Sequence, residues 1–179
     1  MAGHGKTPAN IGGRNGLSAA GLHFGIVYSE FNDFVTKRLL AGANQALQEA
    51  GAGKKQIETF HVPGAFELPI AAKKMAATGR FDSIICIGCV IRGETSHYDY
   101  VASETARGIQ LAQLDSGVPI GFCVLTCDTP EQALARAGDG PGNKGHEVGI
   151  GMIEMARLSR ELSRKPGAPA RTKRSGKRR

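Results

Sequence analysis

Between Gly88 and Tyr100 the chain reads Gly-Cys-Val-Ile-Arg-Gly-Glu-Thr-Ser-His-Tyr-Asp-Tyr. An apolar run ends at Ile91, Gly93 permits a tight turn, and a helical pattern opens at Thr95-Ser96. A strand that feeds a helix through a short turn presents unpaired backbone N–H groups and the positive end of a helix dipole. The amides of Glu94 and Thr95 would then face an anion, and a phosphate suits that place. His97 stands within one turn of them, and an imidazole takes or gives a proton near neutral pH. Together these residue types suggest proton transfer on a phosphorylated substrate. The same spacing also fits an ordinary capped turn, because Ser96 and Asp99 stand at capping-box distance. A lone histidine can equally be structural.

Three other places carry candidate chemistry. Gly64-Ala65-Phe66-Glu67 puts an aromatic ring and a carboxylate at a second helix start. Glu67 either complements the helix dipole or accepts hydrogen bonds from ligand hydroxyls. Phe31, just past a first strand, either caps a ring-binding pocket or closes the core. Phe122 lies inside a strand, where core is its default reading. Arg136 and Lys144 flank a Gly-rich loop, and such charges are ordinarily solvated. They would complete a phosphate site only if that loop reaches the turn after Ile91, in this subunit or another.

The cysteines carry no chemistry in this reading. Cys86 and Cys89 form a C-x-x-C, but inside Ile84-Ile85-Cys86-Ile87-Gly88-Cys89-Val90-Ile91, which reads as a strand. Residues three apart on a strand point to opposite faces, so the pair cannot share a metal. Cys123 and Cys127 share a face but stand about 13 Å apart at the rise of a strand. No metal or disulfide is expected, and the four cysteines read as small buried residues.

The elements that must position these residues alternate. His23 to Ser29 reads as a strand, Phe34 to Ala50 as a helix stopped by Gly51, and Gln56 to Val62 as a second strand. Ala65 to Thr78 reads as a helix closed by Gly79. Ser83 to Ile91 is apolar throughout, as a parallel strand covered on both faces should be. His97 to Leu114 is a third helix, with Val101, Thr105, Ile109 and Ala112 inward. Pro119 to Cys127 is a fourth strand, and Thr129-Pro130-Glu131 starts a short helix. Gly138 to Gly145 is a Gly-rich loop before a last helix from Glu147 to Ser163. The alternation predicts a three-layer α/β/α sandwich on a four-stranded parallel, flavodoxin-like sheet. Ligands in such sheets bind beyond the carboxyl ends of the strands, where all these loops fall.

Length and composition set the frame. A chain of 179 residues suits one domain with a real core, here 22–163. Residues 1–21 read as a flexible Gly-rich arm. Residues 164–179 hold eight Lys or Arg and no acidic residue, so the net charge of +7 falls to −1 without them. That tail reads as a disordered extension. It is the one segment that would suit a nucleic acid, and the body has no nucleic-acid motif. No apolar run is long enough to span a bilayer, and the N-terminus lacks the apolar core of a secretory signal. A cytoplasmic protein without membrane partners is expected.

Several of these stretches, in this order and spacing, resemble the lumazine synthase family of riboflavin biosynthesis. They are Phe31-Asn32-Asp33, Val62 to Pro69, Gly88 to Tyr100, Arg136-Ala137-Gly138 and Gly142-Asn143-Lys144-Gly145, and the resemblance covers Leu22 to Leu162. It implies a transferase that condenses 5-amino-6-(D-ribitylamino)uracil with 3,4-dihydroxy-2-butanone 4-phosphate to 6,7-dimethyl-8-ribityllumazine. By matching position, His97 would transfer protons. The Glu94 and Thr95 amides would hold the phosphate with Arg136 of a neighbouring subunit. Phe31 would stack on the pyrimidine, and Ala65, Phe66 and Glu67 would hold the ring and ribityl chain. Cys89, Val90 and Ile91 would contact the ring through backbone atoms, with Phe122 lining the pocket from the adjacent subunit. Lys144 and Glu147 match positions near the phosphate end with less weight.

The resemblance further implies small-molecule substrates, no cofactor, a homopentamer or an icosahedral multiple of it, and riboflavin synthase as a protein partner. Cys127 stands where Thr is common in the family, the basic tail extends beyond the family core, and Asp139-Gly140-Pro141 would alter the pentamer contact that the resemblance implies. The competing readings are a flavodoxin-like flavin or nucleotide module, a non-catalytic lumazine-binding paralogue, and a nucleic-acid binder acting through the tail. An acid–base histidine beside an anion site speaks against the first.

Overall fold

The computed structural model describes residues 16–163. The expected tail over 164–179 and residues 1–15 of the expected arm lie outside that range. Within the rest of the arm, Ala19 is fully buried and its amide donates to the Ala50 carbonyl at 2.8 Å.

Four strands, β1 (Phe24–Ser29), β2 (Ile57–Val62), β3 (Ser83–Ile91) and β4 (Ile120–Cys127), form one sheet in the order β2-β1-β3-β4. Every pairing is parallel, so all four carboxyl ends lie on one edge, as the alternation of elements predicts. Helices α1 (Asp33–Glu49), α4 (Pro130–Arg136) and α5 (Lys144–Leu162) cover one face. Helices α2 (Leu68–Ala77) and α3 (His97–Ser116) cover the other. The three-layer α/β/α architecture is therefore as expected.

Strand alternation divides the core in two. On β3, Ile85, Ile87 and Cys89 pack toward α1 and α5, while Ile84 and Cys86 pack toward α2. The C-x-x-C pair thus points to opposite faces. Each fully buried Leu or Ile contributes about 1.5–3 kcal/mol, and Leu39, Leu47, Ile84, Ile85, Ile87 and Ile153 are all of this kind. Helices α1 and α5 approach closely because small residues line their contact: Gly149 lies against Ala43 and Ala46, and Gly145 against the Leu39 carbonyl.

Two helix starts differ from the sequence expectation, and both matter for the site. Residues Ala65–Glu67 form a 3-10 turn, and α2 proper begins at Leu68. Pro69 lacks an N–H and suits the opening positions of a helix. The Glu67 carboxylate folds back onto the Gly64 amide at 3.0 Å, which closes the turn separately. The last helix starts at Lys144 rather than Glu147, because Asn143 caps it, accepting from the Gly145 and His146 amides at 2.8 and 3.3 Å.

Candidate active site

At the carboxyl ends of β1, β2 and β3 lies an open cleft of about 610 Å³. The first loop supplies Phe31. Its backbone is tied down, with the Glu30 amide donating to Val62 O at 2.9 Å and the Phe31 amide to Pro63 O at 3.0 Å. Asn32 then takes a left-handed conformation (φ 60) and donates from Nδ2 to Cys89 O at 2.9 Å. Asparagine tolerates that conformation better than most residues. The fixed backbone leaves the Phe31 ring 70% exposed, so it is a presented surface and not a core residue. Asn32 had no role in the sequence reading, although an Asn just before a helix start was the signal for it.

The second loop supplies Ala65, Phe66 and Glu67, all on the cleft wall. Ala65 is buried against Leu68 and the sheet, while the Phe66 ring is largely exposed. Glu67 Oε2 is engaged by Gly64, and Oε1 has no protein donor among the described residues. The dipole-end role and a ligand-facing role are therefore compatible in one side chain. Cys89, Val90 and Ile91 form the floor. Burial pushes the Cys89 thiol up to about 12, so it is no nucleophile at neutral pH.

The third loop closes the cleft with Gly93, Thr95 and His97, and Glu94 stands exposed between the first two. Among the described residues the amides of Gly93, Glu94, Thr95 and Ser96 donate to no protein acceptor. They lie at the amino end of the 20-residue helix α3. An anion there meets several donors and the helix dipole together. His97 is exposed on the first turn of α3, beside those amides. The capping box expected of Ser96 and Asp99 does not form, because Ser96 makes no side-chain cap. Asp99 turns instead to Arg92, with Nη1 at 3.2 Å from its Oδ1. Arg92 also donates from Nε to Asp128 Oδ1 at 3.0 Å and lies 4.0 Å over the Tyr98 ring.

The remaining candidates gather elsewhere. Phe122, Arg136, Lys144 and Glu147 line a smaller hollow of about 310 Å³ along the unpaired edge of β4. Phe122 is 43% exposed, which overturns its default reading as core: an edge strand has no neighbour to cover it. Arg136 sits in the last turn of α4 and donates to Gln132 O at 2.9 Å. Lys144 pairs with Glu147 across one turn of α5. No residue belongs to both hollows. The chain thus carries, on one surface, an aromatic cleft with a histidine and amides that meet no protein acceptor among the described residues, and a basic, aromatic edge on another.

Residues 21–160 match the family model described as 6,7-dimethyl-8-ribityllumazine synthase. A protein of that description from Syntrophus aciditrophicus (strain SB) is 53% identical over 146 residues, covering 82% of this chain and 95% of the relative. Another, from Desulfatibacillum aliphaticivorans, is 51% identical over 146 residues, covering 82% and 94%. Both alignments span almost the whole of the relative and take in most of the described fold.

Proposed function

Because the chain belongs to the 6,7-dimethyl-8-ribityllumazine synthase family, we propose that its cleft and its β4 edge are the two halves of that family's active site. The protein is a transferase of riboflavin biosynthesis. It condenses 5-amino-6-(D-ribitylamino)uracil with 3,4-dihydroxy-2-butanone 4-phosphate, releasing phosphate and water. The arylamine attacks the ketone and loses water to give a Schiff base. Phosphate then leaves, and the ring closes with loss of a second water.

The observation that carries the site reading is the meeting of two chemistries in one cleft: exposed rings at Phe31 and Phe66, and unpaired amides at Glu94 and Thr95 beside His97. The rings offer faces on which a pyrimidine can stack. Glu67 Oε1 is available to ribityl hydroxyls, and the backbone of Cys89, Val90 and Ile91 to the edge of the pyrimidine. The amides and the α3 dipole suit the phosphate of the second substrate. His97 is placed to move protons between the amine, the carbinol and the leaving water. Much of the rate then comes from holding two substrates together, which needs no strongly activated group.

Arg136, Lys144 and Phe122 cannot serve this cleft from their own chain's β4 edge if that edge faces a neighbour. We therefore assign them to the cleft of an adjacent subunit in a homopentameric ring. Arg136 would meet the phosphate, and Phe122 the second wall of the ring pocket, with Lys144 and Glu147 near the phosphate end. Replacing Arg136 by Ala tests this. The Michaelis constant for the butanone phosphate should rise about tenfold, the loss of one charge-assisted contact, with that for the uracil unchanged. Equal effects on both constants would remove Arg136 from the phosphate subsite.

A further inference from the structure

Arg92 is the residue immediately before the Gly93–Ser96 turn, and the chemistry of the reaction gives it no task. Its amide donates to Cys127 O at 2.9 Å, so its backbone extends the β3–β4 ladder by one step. Its guanidinium bridges two carboxylates from different elements: Asp128 just past β4 at 3.0 Å and Asp99 in the first turn of α3 at 3.2 Å. It lies 4.0 Å over the ring of Tyr98, which lines the cleft. A planar fork that contacts two carboxylates and a ring at once is a task for arginine rather than lysine.

We infer that Arg92 is a positioning residue for the phosphate subsite, holding Asp99 and Asp128 and offsetting half of their negative charge beside the amides of the turn. The inference rests on the reading of Glu94 and Thr95 as phosphate donors. Asp99 is only two residues past His97, and Asp128 follows the strand that pairs with the one leading into the turn. Without a cation between them, two negative charges would stand next to the place where a phosphate must bind. Like charges repel at the effective dielectric of a protein surface. Arg92 offsets one of the two negative charges and draws both carboxylates toward itself, so that the amides and the helix dipole dominate the local field.

The test uses the full-length, assembled enzyme and two opposite changes of charge. Arg92→Gln should raise the Michaelis constant for the butanone phosphate roughly fivefold, with kcat and the constant for the uracil little changed. Adding Asp99→Asn and Asp128→Asn to that variant should restore the constant, because the repelling charges are gone. If Arg92 served only to brace the loop, removing its partners would bring no recovery, and that result overturns the inference. The Asp99→Asn/Asp128→Asn variant with Arg92 intact provides a second arm should Arg92→Gln fold poorly. It leaves an uncancelled cation and should lower the inhibition constant of inorganic phosphate by a similar factor. An unchanged or raised constant would count equally against the proposal. Arg136→Ala run in parallel separates the two claims. If it raises the phosphate constant while the Arg92 and Asp variants do nothing, only the role of Arg92 fails. If neither has an effect, the phosphate subsite itself is misplaced.

Discussion

A histidine that is exposed on the first turn of α3, beside unpaired amides, can relay protons without supplying most of the rate. Schiff-base formation and elimination need modest acid–base help, whereas joining two bound substrates gains a large effective concentration. His97→Ala should therefore lower kcat by about a hundredfold, the low end for a general acid–base group, and leave both Michaelis constants close to normal. A variant that binds both substrates yet is inert would show that proximity contributes less than this. Buried thiols allow a second test at this scale. Burial holds Cys89 and Cys123 near 12, above the ordinary 9.0. The fold thus favours neutral thiols, and their contribution to stability is fully present below pH 9 and is lost as pH rises from there toward 12. The native protein at pH 8 should resist thiol reagents at both positions and react fully once unfolded. Cys123→Ala should flatten the alkaline loss of stability. Residue type and local spacing were enough to place His97 and Glu67 at helix starts on the carboxyl edge of the sheet and to read the cysteines as buried. They were not enough for Phe122, because whether a strand lies at the edge of a sheet is a property of pairing order and not of local pattern.

Asn143 shows what an element boundary can decide. It is 4% exposed and its side chain makes four hydrogen bonds. Oδ1 caps α5 through the Gly145 and His146 amides, while Nδ2 donates to Arg38 O at 3.1 Å and Gly138 O at 2.9 Å. One side chain thereby fastens both ends of the loop after Arg136 to α1 and sets where Lys144 begins its helix. Asn143→Ala should cost about 2–4 kcal/mol, the loss of a cap together with two part-buried bonds to carbonyls. Urea unfolding would show this as a lower midpoint with an unchanged slope, and a change under 1 kcal/mol would mean that water replaces the amide. Gly145→Ala should be worse still, because a Cβ there overlaps the Leu39 carbonyl of α1. The long strand Ser83–Ile91 was legible because a parallel strand covered on both faces must be apolar throughout. The two misplaced helix starts were not, since each depends on which side chain reaches back: Glu67 to Gly64 across three residues, and Asn143 to α1 across the fold.

At the scale of the whole molecule, one chain carries two hollows on different surfaces, which the proposed function joins across a subunit contact. The resemblance in sequence supplied the expectation of a neighbour. The strand order supplies the geometry, because β4 is an edge and what lines it faces outward. This makes a prediction that no single-chain site can imitate. His97→Ala and Arg136→Ala each disable one half, so each homogeneous assembly holds only damaged sites. Dissociated, mixed in equal amounts and reassembled, the two variants distribute at random around a ring with head-to-tail contacts. An interface is whole when a chain with intact His97 faces a chain with intact Arg136, and chance sets this at about a quarter of interfaces. Assayed with butanone phosphate well below its Michaelis constant, where both parents are slow, activity should therefore climb to about a quarter of that of the unmodified enzyme, and the recovered sites should show its Michaelis constant for the butanone phosphate. Mixing without dissociation should recover nothing. If reassembled mixtures stay at the average of the two parents, His97 and Arg136 act within the same chain, and the loop from Gly138 to Lys144 must move toward the cleft of its own subunit.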